Sequence, residues 1–226
     1  MSVSRRLSDA PVSDVLYLHG FASSSQSTKA GYLAGRLREH GITLRAPDFN
    51  QPDFATLTMT RMLDQLSTEV GNTAQAPMTL VGSSLGGTLA VLAAARMRAR
   101  VERLVLFAPA VMFAKEGHHL LPPDRIDAWK RRGEMSFFHY GHNEERQLSY
   151  SFYEDSLQHD AFGAAFHQPT LIFQGLRDAS VDYRTVEAFA HARPNVTLSL
   201  LDDDHQLIAS LQRIWNDMEA FLGLVE

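Results

Sequence analysis

Short, continuously hydrophobic runs alternate along the chain with segments in which apolar residues recur at helical spacing. Most of the runs show no apolar–polar alternation, which is typical of strands that are buried on both faces. The pattern predicts six strands, at residues 14–19, 42–46, 78–82, 103–107, 170–174 and 197–201. Strands separated by helices indicate an α/β fold with a doubly wound, mostly parallel sheet.

The segments between these strands predict amphipathic helices. The first has apolar residues at positions i, i+3, i+4 and i+7, namely Ala30, Leu33, Ala34 and Leu37. Gly41 is placed to end this helix. The second helix has its apolar face at Met59, Met62, Leu63, Leu66 and Val70, and the last helix at Leu207, Leu211, Ile214, Trp215, Met218 and Leu222. We therefore expect residues 1–226 to form one domain.

Residues 111–166 break the rhythm of strands and helices. This interval contains no convincing strand, and histidines, prolines and aromatic residues crowd together in it. A loop of this length inside a compact domain is uncommon unless it has a function. We predict a small helical cap that is inserted after the fourth strand, and an ordinary pair of surface helices is the alternative.

Composition narrows the class of protein. The hydrophobic fraction of 45% and the charged fraction of 21% are ordinary for a globular protein. A net charge of −5 argues against nucleic acid or an anionic membrane surface as the main partner. The longest purely apolar run, 89–95, is too short to span a membrane. Residues 1–13 have no apolar stretch behind their arginines, so we expect no signal peptide and a cytoplasmic protein, monomeric or homodimeric.

The chain contains no cysteine. This excludes thiol nucleophiles, disulfides and thiolate metal sites. Any nucleophilic chemistry must therefore come from another side chain.

The candidate nucleophile is Ser84, in the pattern G-x-S-x-G from Gly82 to Gly86. The apolar run 78–81 precedes the pattern and an apolar helical segment follows it. A serine on a sharp strand-to-helix turn needs glycine two residues before and after it, because side chains there would collide with their surroundings. A phosphate-binding loop is the alternative, but the P-loop lysine and the G-x-G-x-x-G spacing are both missing.

The serine hydroxyl needs a base, and the base needs a carboxylate that orients it. Asp178 follows the predicted strand 170–174, and His205 follows the strand 197–201. The order serine, acid, histidine is that of α/β hydrolases, and catalytic groups in open α/β sheets gather at the carboxyl ends of the strands. The sequence therefore predicts the catalytic residues Ser84, Asp178 and His205.

Other residues compete for these roles. Asp182 lies close to Asp178, and the acidic run 202–204 precedes His205 directly, although a solvated turn that caps the last helix is the simpler interpretation of that run. His19 also ends a strand, but it comes too early in the chain to be the base. His139 and His142 raise the question of a metal, yet no third ligand has a persuasive spacing, so we expect no metal site.

The strand 14–19 leads into a loop that begins with Gly20 and Phe21. In this kind of site one oxyanion-hole N–H comes from the loop after the first of these strands, and the other comes from the residue after the nucleophile. We expect the main-chain N–H groups of Phe21 and Leu85 to form the oxyanion hole. Gly20 allows that loop to approach Ser84 closely.

Three segments resemble those of a known family: Leu-Tyr-Leu-His-Gly-Phe at 16–21, the serine-rich stretch 23–30 and Val-Gly-Ser-Ser-Leu-Gly-Gly at 81–87. They resemble the YqiA-like small bacterial esterases of the α/β-hydrolase superfamily, and more weakly the mitochondrial depalmitoylating hydrolases. The likeness extends to the Asp178 and His205 loops by position and fades across 111–166. The resemblance implies esterase or acyl-thioesterase activity on a small molecule, without a cofactor.

The leading hypothesis is thus hydrolysis of a carboxylic ester or acyl thioester. Phe21, Met112, Phe113 and Phe138 are candidates to line an acyl pocket, although core packing explains each of them equally well. A peptidase or a carbon–carbon hydrolase on the same fold is one alternative. A binding protein without catalytic activity is another.

Overall fold

The computed structural model describes residues 14–71, 77–115, 117–118 and 121–225. The segment on which the signal-peptide expectation rests, 1–13, lies outside the described residues. Within the described part of the chain, no helix is long and apolar enough to cross a membrane.

The described residues form eight strands: β1 Val15–Leu18, β2 Leu44–Arg45, β3 Met78–Ser83, β4 Val101–Phe107, β5 Glu134–His139, β6 Glu144–Ser149, β7 Thr170–Gly175 and β8 Val196–Leu201. Six of them make one sheet in the order β2-β1-β3-β4-β7-β8. Every pairing in this sheet is parallel. The predicted six-stranded parallel sheet is confirmed.

Seven helices accompany the strands: α1 Thr28–Glu39, α2 Met59–Gly71, α3 Leu85–Arg96, α4 Pro123–Arg132, α5 Ser151–Ser156, α6 Tyr183–His191 and α7 Leu211–Leu222. They cover the sheet on both faces. Successive side chains of each strand point to opposite sides, so both faces of the sheet present residues against which helices can pack. In β1, Leu16 and Leu18 pack into one apolar core, while Val15 and Tyr17 pack into the other. The last helix starts at Leu211, so Leu207 lies before it in the loop.

The interval 111–166 holds more than helices. The antiparallel hairpin β5–β6 lies between α4 and α5, so the expectation that this interval contains no strand was wrong. In β5 the inward-facing residues Met135, Phe137 and His139 alternate with the exposed Ser136 and Phe138. Because the apolar Phe137 and Phe138 are adjacent and His139 is polar, the period of two could not be recognised in the sequence. The charged residues of β6 hid the second strand, because such residues are depleted in strands.

Main-chain hydrogen bonds attach the hairpin to the body of the protein. Tyr140 N donates to Ala22 O at 2.7 Å, and Ser149 N donates to Ala55 O at 2.8 Å. The first of these bonds joins the turn of the hairpin to the loop after β1. The insertion therefore lies against the edge of the sheet at which the strands end.

Candidate active site

Ser84 lies at the turn between β3 and α3 with a strained backbone, φ 54° and ψ −114°. A non-glycine residue in such a conformation costs on the order of 1–3 kcal/mol and persists only where its surroundings hold it. Ser84 N donates to Phe107 O at 2.9 Å, and Ala110 N donates to Ser84 O at 3.1 Å. The neighbouring strand β4 thus fixes the turn that presents the Ser84 hydroxyl.

The two glycines of the G-x-S-x-G pattern are required by close backbone contacts. A Cβ atom on Gly82 would lie 2.4 Å from Gly86 O, and a Cβ atom on Gly86 would lie 2.0 Å from Leu18 O. Neither clash can be relieved by moving a side chain, since both involve main-chain atoms. The predicted reason for glycine at these positions is confirmed.

Asp178 is a buried carboxylate with four hydrogen-bond donors. Its side chain is 0% exposed. One oxygen, Oδ1, accepts from Ser180 N at 2.8 Å and Val181 N at 2.9 Å. The other, Oδ2, accepts from His205 Nδ1 at 2.8 Å and from Gln174 Nε2 at 2.9 Å. Burial alone would raise the pKa of Asp178, but these hydrogen bonds and the charge of His205 bring it below its ordinary value.

The contact with Asp178 settles which nitrogen of His205 carries a proton. An ionised carboxylate can only accept, so Nδ1 must be the donor in the 2.8 Å bond. In the neutral ring, Nε2 is then left with its lone pair and can take up a proton. The imidazole is 22% exposed, which leaves it accessible from the surface.

The neighbouring aspartates do not contact the imidazole. Asp202 pairs with Arg177, and Asp204 Oδ1 accepts from Gln206 N at 2.8 Å. Asp203 accepts from Asp204 N at 2.8 Å and from Ser210 N, just before α7, at 2.9 Å. The acidic run thus forms a turn and bonds to the residue before α7, but Asp203 is buried rather than solvated.

No hydrogen bond joins the Ser84 hydroxyl to His205 in the described part of the chain. The structure brings Asp178 and His205 into contact, and it places Ser84 at the same edge of the sheet, because β3, β7 and β8 run parallel. The three residues as a catalytic set remain a prediction.

The loop after β1 approaches Ser84 closely. A Cβ atom on Gly20 would lie 3.3 Å from both Ser83 O and the Cβ of Ser84. Phe21 follows in this loop, and Leu85 is the first residue of α3. Among the described residues, neither the Phe21 nor the Leu85 N–H donates to a protein acceptor. An oxyanion hole needs N–H groups without a protein acceptor, and the assignment of Phe21 and Leu85 to it remains a prediction.

His19 holds this loop in place. Its Nδ1 lies 2.9 Å from Gly20 O, and its Nε2 lies 2.9 Å from Phe49 N. A carbonyl oxygen only accepts and an N–H only donates, so Nδ1 donates to Gly20 O and Nε2 accepts from Phe49 N. Nε2 also lies 3.5 Å from Asp48 Oδ1. The buried His19 is fully used in supporting the loop, in agreement with its exclusion as the base.

Three aromatic rings surround the Phe21 side chain, and two of them, Phe137 and Phe152, belong to the insertion. The ring centroids of Phe54, Phe137 and Phe152 lie 5.7, 5.3 and 5.3 Å from that of Phe21. Of the other predicted pocket residues, Met112 and Phe113 also pack on this core. Phe138 lies on the outward face of β5, where it is 41% exposed and pairs with Tyr140 instead. Phe137, which was not predicted, makes the contact with Phe21.

Two residues at the end of β7, directly before the loop that carries Asp178 (the acid loop), were missed from the sequence. Gln174 is 0% exposed and donates to Asp178. A Cβ atom on Gly175 would lie 2.5 Å from Asp204 O, so glycine lets the Asp178 and His205 loops pass each other. A polar residue inside the apolar strand β7, directly before the acid loop, was the available signal for Gln174.

The histidines at the turn of the hairpin lie together. The ring centroids of His139 and His142 are 4.5 Å apart. The described residues contain no group of three or more histidine, cysteine or acidic side chains that could hold a metal ion.

Comparison with known proteins places this geometry in a family. The Uncharacterised protein family (UPF0227) matches residues 14–223. The chain belongs to this family. No curated protein matches it significantly. The sheet order, the turn at Ser84 and the family match together identify an α/β-hydrolase superfamily fold, as the sequence resemblance implied.

Solved structures share the fold of this UPF0227 protein. The α/β hydrolase domain-containing protein 10 from mouse is 21% identical with a TM-score of 0.76, covering 94% of this chain and 90% of its own. Est1E from Butyrivibrio proteoclasticus, solved with ferulic acid, is 21% identical with a TM-score of 0.80, covering 94% and 88%. The monoacylglycerol lipase of Paleococcus ferrophilus is 14% identical with a TM-score of 0.74, covering 94% and 95%. At these identities the likeness concerns the fold.

Proposed function

We propose that this UPF0227 protein is a serine hydrolase that cleaves a carboxylic ester or an acyl thioester of a small molecule. The observation that carries the proposal is the 2.8 Å bond between Asp178 and His205, which leaves the basic Nε2 of His205 free. A buried carboxylate paired in this way with a histidine, at the edge of the sheet where a strained, half-buried serine lies, is suited to nucleophilic catalysis.

In the proposed reaction, His205 Nε2 takes the proton of Ser84 as the serine oxygen attacks the acyl carbonyl. Asp178 stabilises the imidazolium that forms. The N–H groups of Phe21 and Leu85 donate to the developing oxyanion. When the intermediate collapses, His205 returns the proton to the leaving alcohol or thiol, and the acyl group stays on Ser84.

A water molecule then completes the turnover. His205 takes one of its protons while the oxygen attacks the acyl-enzyme, and the acid leaves as Ser84 is regenerated. These steps need a Ser84–His205 hydrogen bond, which is not formed among the described residues. Catalytic hydrogen bonds often tighten only when substrate is bound.

Two structural relatives support the choice of bond. The Est1E structure contains ferulic acid, a carboxylic acid of the kind that ester cleavage releases, and the Paleococcus protein is a monoacylglycerol lipase. Both names fit chemistry at an acyl carbon. The aromatic cluster around Phe21 offers an apolar surface beside the proposed oxyanion hole.

The test compares hydrolysis of p-nitrophenyl esters of rising acyl length, and of acyl-CoA thioesters, by the wild type and by two variants. Ser84→Ala should reduce kcat about 10⁶-fold, to background. Asp178→Asn keeps the size of the side chain but disturbs the tautomer of His205, and should reduce kcat about 10⁴-fold. The proposal fails if the wild type hydrolyses no substrate faster than Ser84→Ala does, the result expected of a protein that only binds its ligand.

A further inference from the structure

Lys29 is a buried cation close to the proposed active site. It is the second residue of α1 and is 6% exposed. Lysine is almost never buried without a partner, and a positive charge in the first turn of a helix is opposed by the helix dipole. The packing of α1 itself does not explain a lysine at this position. The explanation must therefore lie in the group that Lys29 contacts.

That partner is the loop that carries His205. Lys29 Nζ donates to Gln206 O at 3.0 Å, across 177 positions of the chain. The carbonyl belongs to the residue directly after His205. The next residue, Leu207, is fully buried and has φ 56°, a conformation unfavourable for leucine. The ammonium group therefore binds the loop between the imidazole and a strained residue.

Three carboxylates favour the charged form of Lys29. The carboxylates of Asp204, Asp178 and Asp203 act on it from the two loops that form the acid–base pair. Burial nevertheless dominates and lowers the pKa of Lys29 to about 8, and the three carboxylates counteract only part of that shift. Lys29 is thus charged at neutral pH and loses its charge in the mildly alkaline range.

We propose that Lys29 is a positioning residue for His205. Its ammonium group fixes the Gln206 carbonyl, and through it the direction in which the imidazole faces Asp178 and Ser84. The inference rests on the proposed hydrolase function. Lys29 touches neither the substrate nor the reacting atoms, so its removal should lower kcat and leave KM unchanged.

The proposal predicts the direction in which kcat changes with pH. Above about pH 8 the ammonium loses its proton, the bond to Gln206 O weakens, and kcat should fall. Lys29→Met removes this alkaline decline, because nothing remains to titrate. The same variant leaves the three carboxylates unopposed and favours protonated imidazole, so the acid limb of the profile should move to higher pH. Lys29→Arg stays charged and should keep the wild-type acid limb while losing the alkaline one.

The experiment measures kcat and KM from pH 5 to 10 on one p-nitrophenyl ester. Lys29→Met should lose about 10- to 100-fold in kcat at pH 7, the usual effect of a misplaced catalytic group. Lys130→Met is the matched control, since Lys130 is exposed on α4. Thermal unfolding separates a fold defect from a positioning defect. The proposal is overturned if the variants, each scaled to its own maximum, keep the wild-type pH profile.

A second measurement does not depend on activity. In Ser84→Ala, NMR should show the Lys29 side chain titrating near pH 8 and the His205 ring resonances shifting in the same range. The His205 response should vanish in Ser84→Ala/Lys29→Arg. The three lysines of the chain simplify the assignment. If His205 shows no inflection where Lys29 titrates, positioning is refuted, whereas absent esterase activity with this coupling intact would refute only the proposed function.

Discussion

At Gly86 a single methyl group decides whether the turn at Ser84 can form. The Cβ of an alanine there would lie 2.0 Å from Leu18 O, and main-chain atoms on both sides prevent relief. Gly86→Ala should therefore lower the free energy of unfolding by about 3 kcal/mol. Gly35 is the control, because the space around it on α1 is open.

Denaturant unfolding measures both substitutions. Gly35→Ala should raise the free energy of unfolding by about 0.5–1 kcal/mol, since alanine is the better helix former. A Gly86→Ala variant as stable as Gly35→Ala would mean that β1 does not pack against α3 as described.

His139 is a second residue whose environment predicts a measurable effect. It is 0% exposed, and neither ring nitrogen has a hydrogen-bond partner. Burial, together with the charges of His142 and Arg146, lowers its pKa to about 4. In the unfolded chain a histidine titrates near 6.5. Between these values the unfolded state binds more protons, so this contribution to stability is present above about pH 6.5 and is lost as the pH falls towards 4.

His139→Leu should abolish that loss. At pH 4.5 the variant should gain about 2 kcal/mol relative to the wild type, beyond any difference at pH 7. Unfolding midpoints at the two pH values give the comparison, and His167→Leu, at an exposed loop position away from His139, is the control. Parallel pH dependence of the wild type and His139→Leu would contradict the buried, neutral state of His139.

At the scale of elements, the hairpin β5–β6 is the part of the fold that the sequence pattern did not predict. Every strand end of the main sheet lies within two residues of its predicted position. The inner strands β1, β3, β4 and β7 were the easiest to predict, because both of their faces are buried and their composition is largely apolar. Helices α1 and α2 were predicted from their apolar stripes. The hairpin has one exposed face and charged residues in β6, and its stability comes from contacts with the body of the protein. Local pattern carries no information on those contacts.

Neighbouring phenylalanines of β5 provide the test of the hairpin. The Phe137 ring packs 5.0 Å from that of Trp129 and 5.3 Å from that of Phe21, measured between centroids. Phe138 points outward. Phe137→Ala should cost about 2–3 kcal/mol of unfolding free energy, and Phe138→Ala less than about 1 kcal/mol. Equal losses, measured by denaturant titration, would indicate that the register of the hairpin is wrong by one residue.

At the scale of the whole molecule, the sheet order assembles the candidate site. Strands β3, β7 and β8 are distant in sequence, yet their carboxyl ends meet at one edge. The positions of Ser84, Asp178 and His205 at strand ends could be predicted because the order of these residues is typical of the fold. The role of Lys29 could not, because it depends on a side chain meeting a loop that the sequence does not place. Gln174 gave a signal, as a polar residue in an apolar strand, but its bond to Asp178 depends on the same unplaced loops.

The most direct test of the central claim, that Ser84 is a nucleophile activated by His205, is mass spectrometry after reaction with a fluorophosphonate. The wild type should gain one adduct, mapped to Ser84, while Ser84→Ala gains none and His205→Ala reacts at least about 10³-fold more slowly. Labelling that is absent from the folded wild type, maps to another residue or proceeds unchanged in His205→Ala would contradict the account.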